Sequence, residues 1–214
     1  MSIAAVLLAA GAAERFGGPS KLLADLGGVP LIVHAARAIA GSCVSSIIVV
    51  TGRDAEDIKT VVRAGTPFYP LFIHNTAWAE GMGGSIAAGV RALPGEVPGD
   101  VLGGVDGVLI VPGDMPFLTP ELLSSMIERF KSALEPRPIV FAQAPDGTQR
   151  NPVLWPNRFC AQLASLSGAA GGKSLLQNNA GETMPFPVAD GELLADIDTP
   201  DDLVQAAALF AARP

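Results

Sequence analysis

The sequence lacks any apolar run long enough to cross a membrane. A transmembrane helix needs about 20 consecutive apolar residues, whereas the apolar start of this chain, MSIAAVLLAA, gives way to glycine and charged residues within a few positions. The start also lacks the basic leader of a secretory signal peptide, so it predicts a first buried strand. We therefore expect a cytoplasmic chain with no membrane partner.

Cysteine is almost absent. The 214 residues include only Cys43 and Cys160, and neither has another cysteine or a histidine at the spacing of a metal site. This argues against a disulfide scaffold and against a zinc finger. We expect both side chains to be small buried hydrophobes in a reducing compartment.

Positive charge is scarce. Fourteen lysine and arginine residues stand against 21 acidic ones, which gives a formal net charge of −7. A chain this acidic has no general attraction for nucleic acid, so we expect no nucleic-acid partner. Any polyanion that it binds must be held by a local cluster of cations and backbone N–H groups.

What the sequence does contain is an alternation of short runs rich in valine and isoleucine with helical segments. The predicted strands are 3–8, 47–51, 68–73, 107–111 and 139–142. The predicted helices between them are 30–40, 54–63, 83–93 and 120–131, with Asp54 and Thr119 as caps. This alternation is typical of an α/β fold, a three-layer, doubly wound and mostly parallel sheet.

The pattern loosens after residue 142. It predicts a hairpin that turns at 145–147, a helix near 158–166, an extended segment over 183–188 and a last helix from Thr199. No internal repeat and no long linker divides the chain. We therefore expect one domain over residues 1–214.

The segment after the first strand combines small residues with two cations. In order, it contains Leu8, Ala9, Ala10, Gly11, Arg15 and Lys21. Ligands of doubly wound sheets bind beyond the carboxyl ends of the strands, and small residues let backbone N–H groups approach a phosphate closely. The segment predicts a polyphosphate site, although it matches neither the Walker loop nor a GxGxxG turn. The alternative is a glycine-rich surface loop with two solvated cations.

Two acidic segments are candidates for metal binding. Asp114 lies in PGDMP, directly after the fourth predicted strand, where a carboxylate can hold Mg²⁺ or merely stabilise the turn. In DIDTP, alternation places Asp196 and Asp198 on one side of an extended segment, so that both can share one cation. Asp198 or Thr199 can equally cap the helix that Pro200 begins.

The stretch LAAGAAERFGGPSKLLADLGGVPLIVHAA resembles the N-terminal motif of the MobA-like nucleotidyltransferases, and is most similar to the molybdenum cofactor cytidylyltransferase branch. The resemblance is dense over residues 7–36. It continues in order through HNTAWAEGMGGSIAAGV, VPGDMPFLTPELL, RNPVLW, GGKSLL and DIDTPDDL, and so covers nearly the whole chain. It implies a fold of the nucleotide-diphospho-sugar transferase type, Mg²⁺ dependence and transfer of a nucleoside monophosphate from an NTP to a phosphate, with release of pyrophosphate.

The resemblance also implies roles for individual residues. Lys21 would act on the α-phosphate and Arg15 on the β- and γ-phosphates as the catalytic cations. Lys21 and Asp114 are both expected at exposed loop positions. The expected nucleotide-binding residues are Leu8, Ala9, Ala10, Gly11, Arg15, Lys21, Asn75, Gly81 and Ser85. The expected metal ligands are Asp114, Asp198 and Asp196. Without the resemblance, Ser85 and its glycines would be an ordinary helix start.

The base and the acceptor are predicted from fewer positions. Guanylyl-transferring relatives usually show LAGG, so the methyl group of Ala10 favours CTP over GTP by narrowing the pocket. Arg150, Asn151 and Lys173 are expected to bind the acceptor, although Lys173 can equally be an exposed lysine at a helix start. Ala169 stands where relatives often carry an acidic residue, and this departure puts the acceptor in doubt.

The resemblance therefore implies a cytidylyltransferase that uses CTP and the molybdopterin form of the molybdenum cofactor, with a molybdenum hydroxylase as a client. The alternatives are a GTP-using enzyme, a sugar- or polyol-phosphate nucleotidyltransferase, and a cofactor chaperone without activity. A chaperone has no need of a metal-triphosphate site, so the four residues Arg15, Lys21, Asp114 and Asp198 argue for the enzyme.

Overall fold

The first strand, β1 (Ile3–Ala9), is buried along its whole length and lies at the centre of the molecule. Its residues are all apolar, as expected for a strand that is covered on both faces of a sheet. The structure of the protein is a computed structural model, which describes residues 1–11, 16, 20–93, 104–169 and 171–213.

Eight further strands and seven helices follow in the described residues. The strands are β2 (Asp25–Leu26), β3 (Val29–Pro30), β4 (Ser46–Thr51), β5 (Leu71–His74), β6 (Gly107–Pro112), β7 (Ile139–Gln143), β8 (Gln149–Pro156) and β9 (Thr183–Pro187). The helices are α1 (Leu31–Ala40), α2 (Ala55–Gly65), α3 (Met82–Arg91), α4 (Pro120–Lys131), α5 (Cys160–Ala164), α6 (Lys173–Asn178) and α7 (Pro200–Ala212).

Seven strands form one sheet in the order β5-β4-β1-β6-β8-β7-β9, and β2 pairs with β3 in a small antiparallel ribbon. All neighbours in the large sheet are parallel except β8, which is antiparallel to both β6 and β7. The chain runs outward from β1 through β4 to β5 and then returns to the other side of β1 at β6. The strand order therefore reverses between β4 and β6, next to β1, and the predicted α/β, mostly parallel fold is confirmed.

The two faces of the sheet are packed by different helices. Alternate residues of β1, such as Leu7, face a cluster that α1, α2 and α4 complete, whereas Val6 faces a cluster with α3 and α5. Gly89 of α3 brings that helix close, since a Cβ atom there would lie 2.4 Å from Cγ1 of Val6. The helix layers therefore pack against β1 from both sides.

A third, smaller cluster ties the last helix to the sheet. It gathers Leu26, Leu31, Phe117, Ile197 and Ala206. Ile197 is 2% exposed and lies between the two aspartates of the DIDTP segment. Its burial fixes the backbone of that segment, so the cluster positions the aspartates.

Three local expectations differ from the structure. Thr119 caps α4 as predicted, since its Oγ1 accepts the backbone N–H of Leu122, but the Asp54 side chain makes no such bond and is paired with Arg53 instead. β5 begins at Leu71 rather than at residue 68, because Pro70 cannot donate to a strand ladder. The expectation of two buried cysteines is wrong for Cys43, which is exposed.

In the part of the chain that the structure describes, no helix is both long and apolar enough to cross a membrane.

Candidate active site

A pocket of about 290 Å³ opens at the carboxyl ends of β1 and β6, beside the point where the strand order reverses. Doubly wound sheets bind their ligands at this position. The end of β1 and the loop after it contribute Leu8, Ala10, Gly11, Lys21 and Leu22. The end of β6 contributes Pro112, Gly113 and Asp114, and the turn into α3 contributes Trp78, Ala79, Gly81, Met82 and Ser85.

Gly113 brings the ends of β1 and β6 together. Its backbone N–H donates to the carbonyl oxygen of Leu8 at 2.9 Å, and a Cβ atom at this position would lie 2.9 Å from the same oxygen. A side chain here would push the two strand ends apart. Glycine therefore holds Asp114, the next residue, beside the loop that follows β1.

Lys21 lies between two carboxylates from distant parts of the chain. Its Nζ atom is 2.7 Å from Oδ2 of Asp114 and 2.7 Å from Oδ1 of Asp198. The side chains of Lys21 and Asp114 are only 12% and 19% exposed, so the expectation that both occupy exposed loop positions is wrong. The site is a partly buried triad of charges, which salt screens less than a surface ion pair.

The backbone around Asp198 explains how the residue reaches Lys21. The N–H of Ile197 donates to the carbonyl oxygen of Asp114 at 3.0 Å, which attaches the segment to the end of β6. Thr199 caps α7 through the N–H of Asp202, while the Asp202 carboxylate accepts the N–H groups of Asp198 and Thr199 at 3.0 and 2.8 Å. Of the two candidate caps, Thr199 is therefore the cap of α7, and Asp198 is directed to Lys21.

Burial and neighbouring charges shift the pKa values of Lys21 and Asp114. Burial disfavours the charged form of Lys21, but the attraction of Asp114 and Asp198 outweighs burial and raises the lysine pKa above its ordinary value. Burial raises the pKa of Asp114, against the opposing effect of the adjacent Lys21 ammonium. Lys21 is therefore a positive charge at neutral pH.

The two carboxylates fit a divalent metal ion. Oδ1 of Asp114 is buried and has no hydrogen-bond partner among the residues described, and buried polar atoms of this kind call for a ligand. No three acidic, histidine or cysteine side chains in the described ranges gather into a complete metal site. Mg²⁺ in phosphoryl-transfer sites is held by one or two carboxylates together with substrate phosphates, which matches this arrangement.

The end of the pocket at the start of α3 is built by Asn75 and Ser85, which are 8% and 4% exposed. Nδ2 of Asn75 donates to Oγ of Ser85 at 3.0 Å, and Oδ1 of Asn75 accepts the N–H of Ala77 at 3.1 Å. Ser85 lines the pocket, whereas Asn75 lies behind it. The predicted pair is brought together, and of the two residues only Ser85 is among those that line the pocket.

Glycines at the start of α3 join this end of the pocket to the segment at 167–168. Gly81 has a φ of +126°, and a Cβ atom there would lie 2.5 Å from the carbonyl oxygen of Gly168. The N–H of Gly83 donates to that same oxygen at 2.9 Å. The 167–168 segment, which precedes Ala169, therefore lies directly against the turn that lines the pocket.

The other predicted site residues lie outside the pocket or outside the described part of the chain. Arg15 falls outside the described residues. The Ala9 side chain packs in the cluster on the α1 face of the sheet. Asp196 is exposed, and its charge contributes to the raised pKa of Asp114. Arg150, Asn151 and Lys173 are all exposed and are not among the residues that line the pocket.

Several residues that line the pocket have no role that the sequence predicted. These are Leu22, Trp78, Ala79, Met82, Pro112 and Gly113. Trp78 lies three residues before Gly81, and Met82 directly follows Gly81. The Met82 residue is 49% exposed. An aromatic and a flexible apolar side chain beside a glycine turn are a signal for a flat ligand.

Comparison with known proteins finds relatives whose sequences match part of this chain. The chain is 31% identical over 126 residues to the bifunctional protein GlmU of Sinorhizobium fredii, an alignment that covers 58% of this chain and 25% of that protein. The chain thus spans about a quarter of the length of this relative.

Solved structures with the same fold cover almost the whole chain. A nucleotidyl transferase from Methanothermobacter superposes with a TM-score of 0.78 at 20% identity, over 98% of both chains. A protein of Mycobacterium tuberculosis in complex with manganese gives 0.72 at 18%, over 97% and 99%. Molybdopterin-guanine dinucleotide biosynthesis protein A of Archaeoglobus fulgidus gives 0.66 at 19%, over 98% and 100%.

A family model matches residues 5–183, a range that contains Lys21, Asp114 and Ser85 but ends before Asp198. The matched range includes β1, β6 and the turn into α3, which together form the pocket. The chain therefore belongs to the family of MobA-like NTP transferase domains.

Proposed function

We propose that the chain is a Mg²⁺-dependent cytidylyltransferase, formed by one domain over residues 1–214, that transfers CMP from CTP to the phosphate of the molybdopterin form of the molybdenum cofactor. Pyrophosphate is the second product. The observation that carries the proposal is the position of Lys21 against Asp114 and Asp198, beside a pocket at the strand-order reversal. A cation flanked by two metal-binding carboxylates is what a metal-bound triphosphate requires.

In the proposed reaction, an oxygen of the acceptor phosphate attacks the α-phosphorus of CTP. The new P–O bond forms as the bond from the α-phosphorus to the bridging oxygen of the β-phosphate breaks, and the electron pair leaves with pyrophosphate. The barrier is mainly electrostatic, because two anions must meet. Lys21 supplies a fixed positive charge for the α-phosphate, and Arg15 supplies a forked donor for the β- and γ-phosphates.

Asp114 and Asp198 would hold the metal ion in this reaction, with Asp196 adding negative charge nearby. When bound, the ion neutralises phosphate oxygens and stabilises the charge on the leaving pyrophosphate. The buried, unpartnered Oδ1 of Asp114 supports this assignment. The backbone bond between Ile197 and Asp114 supports it too, because it couples the positions of the two carboxylates.

The preference for CTP rests on Ala10. This residue lines the pocket and is 4% exposed, so its methyl group occupies space that a glycine would leave to the base. The smaller pyrimidine fits such a pocket better than a purine. GTP remains the competing substrate that the experiment must include.

The acceptor is proposed to bind on the side of the 167–168 segment. That segment contacts the turn at Gly81 and Gly83, so an acceptor bound there lies next to the nucleotide. Arg150 and Lys173 are exposed cations that can attract a phosphate, and Asn151 can donate to it. A molybdenum hydroxylase would then receive the finished cofactor as the client.

The test is to incubate the purified protein with Mg²⁺, the molybdopterin cofactor and each of CTP, GTP, UTP and ATP in turn, and to measure pyrophosphate. We expect release with CTP alone, and none when the acceptor is omitted. Release with GTP alone would overturn the choice of base. Release with a sugar phosphate or a polyol phosphate, but not with the cofactor, would overturn the choice of acceptor.

A further inference from the structure

Ala77, Asn75 and Ser85 form a series of hydrogen bonds at the end of the pocket that is proposed to hold the base. The contact with Ala77 determines which group donates in each of these bonds. Asn75 follows β5, and its backbone N–H donates to the carbonyl oxygen of Thr51 at 2.9 Å. Its side-chain Oδ1 accepts the backbone N–H of Ala77 at 3.1 Å. Because a backbone N–H can only donate, this contact establishes which side of the Asn75 amide is the oxygen.

The other side of the amide fixes the role of Ser85. Nδ2 of Asn75 lies 3.0 Å from the Ser85 Oγ atom, and an amide nitrogen can only donate, so the serine oxygen is the acceptor. The serine proton must then point away from Asn75. Among the residues described, no protein group accepts that proton, while Ser85 is 4% exposed and lines the pocket.

We propose that Asn75 is a positioning residue that presents the Ser85 hydroxyl as a hydrogen-bond donor to an acceptor of the base, which is N3 where the base is cytosine. Both pyrimidines carry an acceptor at O2, but position 3 is an acceptor in cytosine and an N–H donor in uracil, so a hydroxyl that donates to position 3 is matched by cytosine alone. The pair therefore favours CTP over UTP, a discrimination that the methyl group of Ala10 cannot provide, because the two pyrimidines have nearly the same size. This inference rests on the proposed function, since it takes the occupant to be a nucleoside triphosphate.

The substitution Asn75→Asp tests the direction of the hydrogen bond between residue 75 and Ser85, because the two side chains have nearly the same shape. The introduced carboxylate can still accept the N–H of Ala77, but it can only accept from Ser85 as well, so the serine proton turns away from the base. We expect the Kd of CTP to rise about tenfold, the equivalent of about one hydrogen bond. The affinity for UTP should change less, and the preference for CTP over UTP should fall.

The measurement is isothermal titration of each variant with CTP, UTP and GTP at pH 8, where the introduced carboxylate is ionised, with no acceptor present. Ser85→Ala should lose the same preference. Adding Asn75→Asp to Ser85→Ala should cost nothing more, since Asn75 acts through the hydroxyl. An additional loss in the double variant, or an unchanged preference in Asn75→Asp, would overturn the proposal.

Two further outcomes are separated by this design. If Asn75→Asp does not fold, Ser85→Thr is compared with Ser85→Ala, and a preference that the threonine hydroxyl fails to keep overturns the proposal. If the unaltered protein binds GTP and not CTP, the proposed cytidylyl transfer fails. The positioning role then still predicts weaker GTP binding by Asn75→Asp, and unchanged GTP binding would overturn it.

Discussion

Nζ of Lys21 and Oδ1 of Asp198 lie 2.7 Å apart, although 177 positions separate the two residues in the chain. The contact joins the loop after β1 to the segment that leads into α7. Each side is held by its own neighbours, because Gly113 brings Asp114 to the pocket and the α7 cap holds Asp198. The charged centre therefore depends on packing at three separate places in the fold.

Replacing Lys21 by methionine should reduce the rate of pyrophosphate release by about 10²–10³, as for the loss of one donor that stabilises transition-state charge. Methionine keeps much of the length of the side chain and removes its charge. The rate is measured with CTP, Mg²⁺ and the acceptor. Lys59→Met is the matched control, because Lys59 pairs with the exposed Glu56 on α2 and should keep full activity. A Lys21→Met protein that retains its rate would remove Lys21 from the mechanism.

The same variant should bind Mn²⁺ more tightly than the unaltered protein when no nucleotide is present. The Lys21 ammonium lies between the two carboxylates and repels a metal ion there, and like charges about 4 Å apart repel by about 4 kcal/mol at an effective dielectric constant of 20. We expect at least a tenfold gain, which electron paramagnetic resonance of free Mn²⁺ would detect. Asp114→Asn should abolish the gain. An affinity that stays the same or falls would show that the metal does not share these carboxylates with Lys21.

Two glycines at the start of α3 should respond to alanine in opposite ways. Gly81→Ala places a side chain at a φ of +126° and 2.5 Å from the Gly168 carbonyl, so it should lower the free energy of unfolding by about 1–3 kcal/mol. Gly84→Ala has only Nδ2 of Asn75 nearby, at 3.6 Å, and should raise it by about 0.4–1 kcal/mol. Urea denaturation measures both. Equal effects would mean that the turn at Gly81 is not constrained.

The two cysteines should react differently with iodoacetamide. Burial raises the pKa of Cys160 to about 11, whereas Cys43 is exposed, so the native protein should gain one adduct at pH 8 and the unfolded protein two. Mass spectrometry counts the adducts.

Since an unperturbed thiol has a pKa near 9.0, the unfolded chain loses the Cys160 proton at a lower pH than the folded chain does. The contribution of Cys160 to stability therefore falls as the pH rises from about 9 to about 11. Rapid modification of Cys160 without unfolding would contradict its burial.

The fold was predictable wherever the apolar pattern was long. β1 and α4 combine unbroken or periodic apolar residues with clear ends, and both occur within one residue of the predicted bounds. The ribbon of β2 and β3 escaped prediction because each strand has two residues. The insertion of β8 between β6 and β7 also escaped, because strand order depends on tertiary packing and leaves no local periodicity.

The charged residues of the candidate site could be proposed from the sequence, whereas the apolar residues that line the pocket could not. Lys21, Asp114 and Asp198 are chemically distinctive and follow strands or precede a helix, so their sequence positions indicated a shared edge. Trp78 and Met82 were not assigned, because apolar residues near a helix start are most often core residues. The expected exposure of Lys21 was wrong for a related reason. The burial of a lysine can be predicted from sequence only when its charged partners are known, and one partner of Lys21 lies 177 residues away.

The position of β9 at the edge of the sheet has a consequence for what happens when the C-terminal part of the chain is cut away. β9 pairs in parallel with the outer side of β7 and shields it, while β8 occupies the inner side. Loss of residues from 183 onward would leave the backbone groups of a strand as apolar as Ile139–Ala142 open along one side. An uncovered apolar edge of this kind pairs readily with another chain, so a nicked molecule would tend to aggregate before it unfolds.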